Sequence, residues 1–132
     1  MKRSTPSLLA VLTLVLCGFA GTAHAASIVN GAACPTAGAS STVKVKGISK
    51  AYICKINPSV AGASKPTWTL KTCLSYWAAA QNSQDSINQQ RSLVSSMSEP
   101  DKTTYTKQLN ASQASLDKVI AAIKANHCKA GL

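Results

Sequence analysis

Acidic side chains are scarce in this chain. Among 132 residues there are four, Asp85, Glu99, Asp101 and Asp117, against 14 lysines and arginines and two histidines. The shortage bears first on chemistry, because catalysis by side chains needs a nucleophile beside a base, or carboxylates that share proton transfer. With the leader described below set aside, His127 is the one remaining histidine. Glu99 and Asp101 flank Pro100 and read as helix-start residues. Asp85 and Asp117 fall about one level apart in the hairpin derived below, so an enzyme would need both in one cleft, and two solvated acids is the simpler reading. No glycine-rich phosphate loop, G-x-S-x-G or H-E-x-x-H occurs, and no C-x-x-C pair offers a zinc site. The expectation is therefore a non-enzymatic protein with no cofactor and no metal.

Proline and glycine are the second absence. Neither occurs between Pro66 and Pro100, nor again until Gly131, which frees two segments of about 25 residues each to be helical. In the second segment Tyr105, Leu109, Ser112, Leu116, Val119 or Ile120, and Ile123 recur at steps of three and four, as on one helical face. In the first, Trp77, Ala80, Gln84, Ile87, Arg91, Val94 and Met97 share that spacing with polar interruptions. Ser98 is the expected N-cap of the second helix, with Pro100 in its first turn. Cys73 lies 27 residues before Pro100 and Cys128 lies 28 after it. At 1.5 Å rise per residue both thiols reach a level about 40 Å from the turn, so a Cys73–Cys128 bond is geometrically natural. The same register sets Trp77 near Ile123, Ala80 near Ile120, Gln84 near Leu116, Arg91 near Leu109 and Val94 near Tyr105.

Taken from its start, the chain opens with Lys2 and Arg3, an apolar run from Leu8 to Leu16, and Ala23-His24-Ala25. This is the pattern of a secretory signal peptide covering residues 1–25, and it predicts a secreted protein, outside the cell or at its envelope. Lipidation at Cys17 is disfavoured, because the preceding Leu16 is not small. Nothing later is apolar enough to span a bilayer. Removing 25 residues from 132 leaves 107 and four cysteines, Cys34, Cys54, Cys73 and Cys128. A secreted chain this small needs staples, and four cysteines allow three pairings. Cys34–Cys54 and Cys73–Cys128 are chosen, since each closes one compositionally distinct segment.

The fold class expected is α+β: a disulfide-closed β module over 26–71, then an antiparallel helical hairpin over 72–132. Thr42 to Lys46 alternates as a strand, Gly47 to Lys50 reads as a turn, Ala51 to Ile56 as a second strand and Thr67 to Leu70 as a third. Trp68, Tyr76 and Trp77 are expected to cluster where sheet meets helices. Gly31-Ala32-Ala33-Cys34-Pro35-Thr36-Ala37-Gly38-Ala39, Val43-Lys44-Val45, Tyr52-Ile53-Cys54 and Trp68-Thr69-Leu70-Lys71 together resemble a two-cysteine, lysine-rich module of secreted actinobacterial proteins. Residues 28–71 carry the likeness, with a longer loop between Cys54 and Trp68. It implies an extracellular accessory module and no reaction.

Charge is divided unevenly. Lys44, Lys46, Lys50, Lys55, Lys65 and Lys71 stand in residues 26–71 with no acid, whereas the hairpin has six basic groups and all four acids. Lys44 and Lys46 are expected on one strand face, with Val43 and Val45 on the other. The six lysines are the candidate polyanion-binding residues, and an anionic cell-wall polymer is the expected partner. Specific nucleic-acid recognition is not expected, because residues 26–71 contain no arginine and only Tyr52 and Trp68 could stack on bases. The alternative is an interaction or inhibitor module acting through the hairpin toward an unidentified protein or a second copy, since Gln81 to Gln90 leaves that helix little apolar face.

Overall fold

The computed structural model describes residues 27–132. The expected leader, its expected cleavage point after Ala25 and Cys17 lie outside them. Ser40–Val45 forms β1, Ile48–Lys55 forms β2 and Thr67–Leu70 forms β3, an antiparallel sheet in the order β1-β2-β3. Two helices follow, α1 over Lys71–Val94 and α2 over Asp101–Ile123, and a π-helical turn over Lys124–Cys128. The α+β class is as expected, and both disulfides pair as expected, Cys34 with Cys54 and Cys73 with Cys128. Among the described residues no helix is long and apolar enough to cross a membrane.

The β1–β2 turn differs from expectation. Val45 pairs with Ile48, so the loop is Lys46-Gly47 rather than Gly47 to Lys50. Both residues have positive φ, 50° and 82°, as a two-residue hairpin of right-handed twist requires. Lys46 therefore occupies the turn and does not share a strand face with Lys44.

On the free side of β3 the chain before Cys34 adds a short rung. The Gly31 amide donates to the Trp68 carbonyl at 2.7 Å, the Trp68 amide donates to that of Ala32 at 2.8 Å, and Ala33 bridges Thr67. An edge that would otherwise expose unpaired amides is thereby covered. One face of the sheet carries Tyr52, Cys54, Trp68 and Leu70 into a core that continues through Cys73, Ala80 and Ile87 to Leu116, Ile123 and Cys128. Tyr52 is fully buried, and its hydroxyl donates to the Leu132 carbonyl at 2.8 Å. The expected aromatic cluster is only partly present. Trp68 is buried and Trp77 packs against the core, but Tyr76 is 48% exposed and lies against the His127 ring at 4.5 Å between centroids.

Along the hairpin, burial recurs every seventh residue: Cys73, Ala80, Ile87 and Val94 on α1, Leu109, Leu116 and Ile123 on α2. Seven-residue spacing places these buried side chains in one line along each helix. The interleaved positions are poorer, with Trp77 and Gln84 half-buried and Arg91, Met97, Tyr105 and Val119 exposed. Gln84 and Gln113 fill their gap by exchanging amide hydrogen bonds, both 2.8 Å. Gln84 thus meets Gln113, three residues short of the Leu116 that counting about Pro100 assigns to it. The count treats residues 95–100 as helix, whereas α1 ends at Val94 and α2 starts at Asp101. Ser98 is not the side-chain cap of α2 either. Glu99 takes that role, its Oε2 accepting from the Thr103 hydroxyl at 2.6 Å and the Thr103 amide at 3.3 Å.

Asn30 joins the two halves. It is 1% exposed; its Nδ2 donates to the carbonyls of Cys128 at 2.7 Å and Lys129 at 2.9 Å, and its Oδ1 accepts from the Leu70 amide at 2.9 Å. Main-chain bonds add to this, from the Asn30 amide to the Leu132 carbonyl at 3.1 Å and from the Gly131 amide to the Asn30 carbonyl at 2.8 Å. One side chain therefore satisfies a donor at the start of α1 and two acceptors just past the end of the hairpin. Gly31 completes the junction: its φ is +88°, and a Cβ there would lie 3.3 Å from that of Ala130.

Candidate functional site

The six lysines singled out by sequence are divided among three places. Lys44 projects from β1 opposite Ser49, and Lys55 ends β2 six residues beyond Ser49, so the two lie about 20 Å apart along the sheet. Lys46 is in the turn. Lys65 belongs to the loop after Asn57, where Asn57 Oδ1 accepts from the amide and hydroxyl of Ser59 at 3.0 and 2.7 Å and so starts a local turn. That loop closes over a cavity of about 260 Å³ lined by Asn30, Asn57, Val60, Lys65 and Cys128.

Lys50 and Lys71 come together. Lys50 pairs with Val43 and so projects from the sheet face that bears Tyr52, while Lys71 is the first residue of α1. Both line a concavity of about 310 Å³ with Thr72, Asn126 and His127 and with the apolar side chains of exposed Ile48, buried Leu70 and half-buried Leu132. Sequence order hides this meeting, because the contributing residues come from β2, the β3–α1 junction and the π-helical turn. The signal that survives in the sequence is composition alone: no acid occurs from Ser27 through Lys71.

The four acids lie elsewhere. Glu99 and Asp101 are at the far end of the hairpin, Asp85 is 14 residues along α1 from Lys71, and Asp117 is ten residues before His127. At 1.5 Å per residue the nearer two are about 21 and 15 Å away along the helices, beyond one Debye length at physiological salt. Asp85 and Asp117 are both exposed, and Asp117 accepts from Gln113 Nε2 at 3.0 Å. Among the described residues no group of three or more His, Cys, Asp or Glu side chains could hold a metal ion. Lys124 extends its ammonium to 5.6 Å from the Trp77 ring centroid. Burial pushes the Tyr52 phenol above its usual value.

At the opposite end, Leu93, Met97 and Tyr105 are exposed around a hollow of about 140 Å³ that also touches Val94 and Leu109. No protein-family model, curated protein or solved structure matches this chain.

Proposed function

We propose that this is a secreted, non-enzymatic binding protein of the envelope or medium, whose basic β module contacts anionic polymer and whose hairpin serves as a spacer or docking arm. The observation that carries the reading is the charge division: six lysines and no acid over residues 26–71, with five of the six exposed and Lys50 half-buried. The likeness of residues 28–71 to a lysine-rich secreted module agrees with it, as do two disulfides, which belong to oxidising compartments. Retention of the protein on isolated anionic cell-wall polymer tests it. Binding should weaken steeply between roughly 50 and 200 mM salt, because each lysine contact releases counterions. Salt-independent retention, or none, refutes the reading.

A second reading, protein interaction through the hairpin, is favoured by the exposed apolar tip at Leu93, Met97 and Tyr105. Light scattering tests its self-association form: a dimer that reverts to monomer in Leu93→Ser/Met97→Ser supports it, and a strict wild-type monomer removes it.

A further inference from the structure

We propose that the concavity between β2, the start of α1 and the π-helical turn is a discrete site for one phosphate group, free or as a unit of a phosphate-bearing chain. The proposal rests on the binding reading above and narrows it from a diffuse field to a place and a ligand chemistry. Three cationic or proton-donating side chains, Lys50, Lys71 and His127, line one hollow of about 310 Å³; no Asp or Glu side chain lines it, and Leu132, which does, has its main-chain oxygen held by the Tyr52 hydroxyl and the Asn30 amide. Thr72 and Asn126 add a hydroxyl and an amide at the rim. The α1 N-terminus opens beside it with no acid in its first turn and no side-chain cap. Asn30 occupies only the Leu70 amide, one residue earlier.

The ligand class follows from the donors. Two ammonium groups and several neutral donors suit an anion with more than one negative charge and oxygens in several directions, which a phosphate provides and a carboxylate does not. Buried Leu70 and half-buried Leu132 lower the local polarity on one side of the hollow, which strengthens the charged contacts there. Access is open, since Lys71, Thr72 and Asn126 are exposed, so an interior phosphate of a long chain can enter as readily as the free ion.

The test is an amide-resolved NMR titration of the full secreted protein with inorganic phosphate and, separately, with linear polyphosphate. Saturable shifts centred on Ser49 to Ala51, Lys71, Thr72, Asn126 and His127 are expected. Lys50→Ala/Lys71→Ala should weaken phosphate binding by about tenfold or more, the effect of losing charge-assisted contacts. Lys107→Ala/Lys118→Ala, which removes equal charge from exposed positions of α2, should change it by less than about threefold, as screened distant charges do. Saturation by inorganic phosphate assigns the free ion as ligand, and saturation by polyphosphate alone assigns the chain. Scattered shifts without saturation, or equal losses in the two double variants, overturn the site. The same variants on cell-wall polymer separate the two claims. Salt-sensitive retention unaffected by Lys50→Ala/Lys71→Ala leaves the general reading standing and removes the pocket. Phosphate saturation without polymer retention removes the general reading and assigns the pocket to the free ion.

Discussion

Replacing Asn30 with alanine should be the most damaging single polar substitution in the described chain. The side chain makes three hydrogen bonds of 2.7, 2.9 and 2.9 Å to main-chain groups that belong to two different parts of the fold. Each such bond contributes about 1 to 1.5 kcal/mol net, and unpaired buried partners add to the loss, so Asn30→Ala should cost about 3 to 4 kcal/mol. A domain of this size holds roughly 5 to 10 kcal/mol in all, so the loss is a large share. Urea unfolding followed by circular dichroism, with disulfides intact, reads it directly. At a slope near 1.5 to 2 kcal/mol per molar, the midpoint should fall by about 2 M with the slope unchanged. Asn30→Asp is the sharper control: it keeps the acceptor for the Leu70 amide but turns the donor into an oxygen facing two carbonyls. That carboxyl would prefer to be protonated, so the variant should gain stability as pH falls, opposite to the usual trend for carboxylates. A loss below about 1 kcal/mol in Asn30→Ala would show that water or a shifted tail replaces these bonds, and the account of the junction would fail.

Removing the Cys73–Cys128 bond, which spans 55 residues, should cost about 4 kcal/mol against about 3 for Cys34–Cys54, which spans 20, as measured by thermal denaturation of the paired serine variants. Equal losses would contradict the loop-length argument. Gln84→Leu and Gln113→Leu should each destabilise the hairpin by about 1 kcal/mol, whereas the double variant should match or exceed wild type, because no amide is then left without its partner. Additive losses in a double-mutant cycle would refute that. Tyr52 titrates above its unfolded value of 10.0 when folded, so the stability it contributes is complete below pH 10 and declines as pH rises through the folded value. Tyr52→Phe should flatten the alkaline limb of the stability curve over that range, and an unchanged limb would assign it to another group.

The features legible in the sequence are those fixed by spacing. Four cysteines in two compositional segments gave the disulfides, and the absence of proline and glycine gave the helices. The features that were hidden depend on what one residue meets far along the chain. Asn30 before Gly31 reads as an ordinary turn pair, and only the fold brings it to Cys128, 98 positions away. Tyr52 and Tyr76 look alike in a sequence, yet strand alternation sends Tyr52 into the core while Tyr76 falls off the helical seam. Lys46-Gly47 lacks the Asn or Asp that usually announces a two-residue hairpin, so the sequence points instead to the later Gly47 to Lys50. Lys50 and Lys71 were visible as lysines, but their convergence with His127 required the tail to fold back over the sheet.

That return of the tail has a use in protein engineering. Asn30 and Leu132 are joined by a main-chain hydrogen bond, so both ends of the described chain emerge at one spot, about 35 Å along the helices from the connection at residues 95–100. A short linker across that spot, with new termini cut between Ser96 and Ser98, should yield a circular permutant in which both disulfides still form. A surface tether attached beside Asn30 or Leu132 would present the distal tip outward, like a mast on its footing.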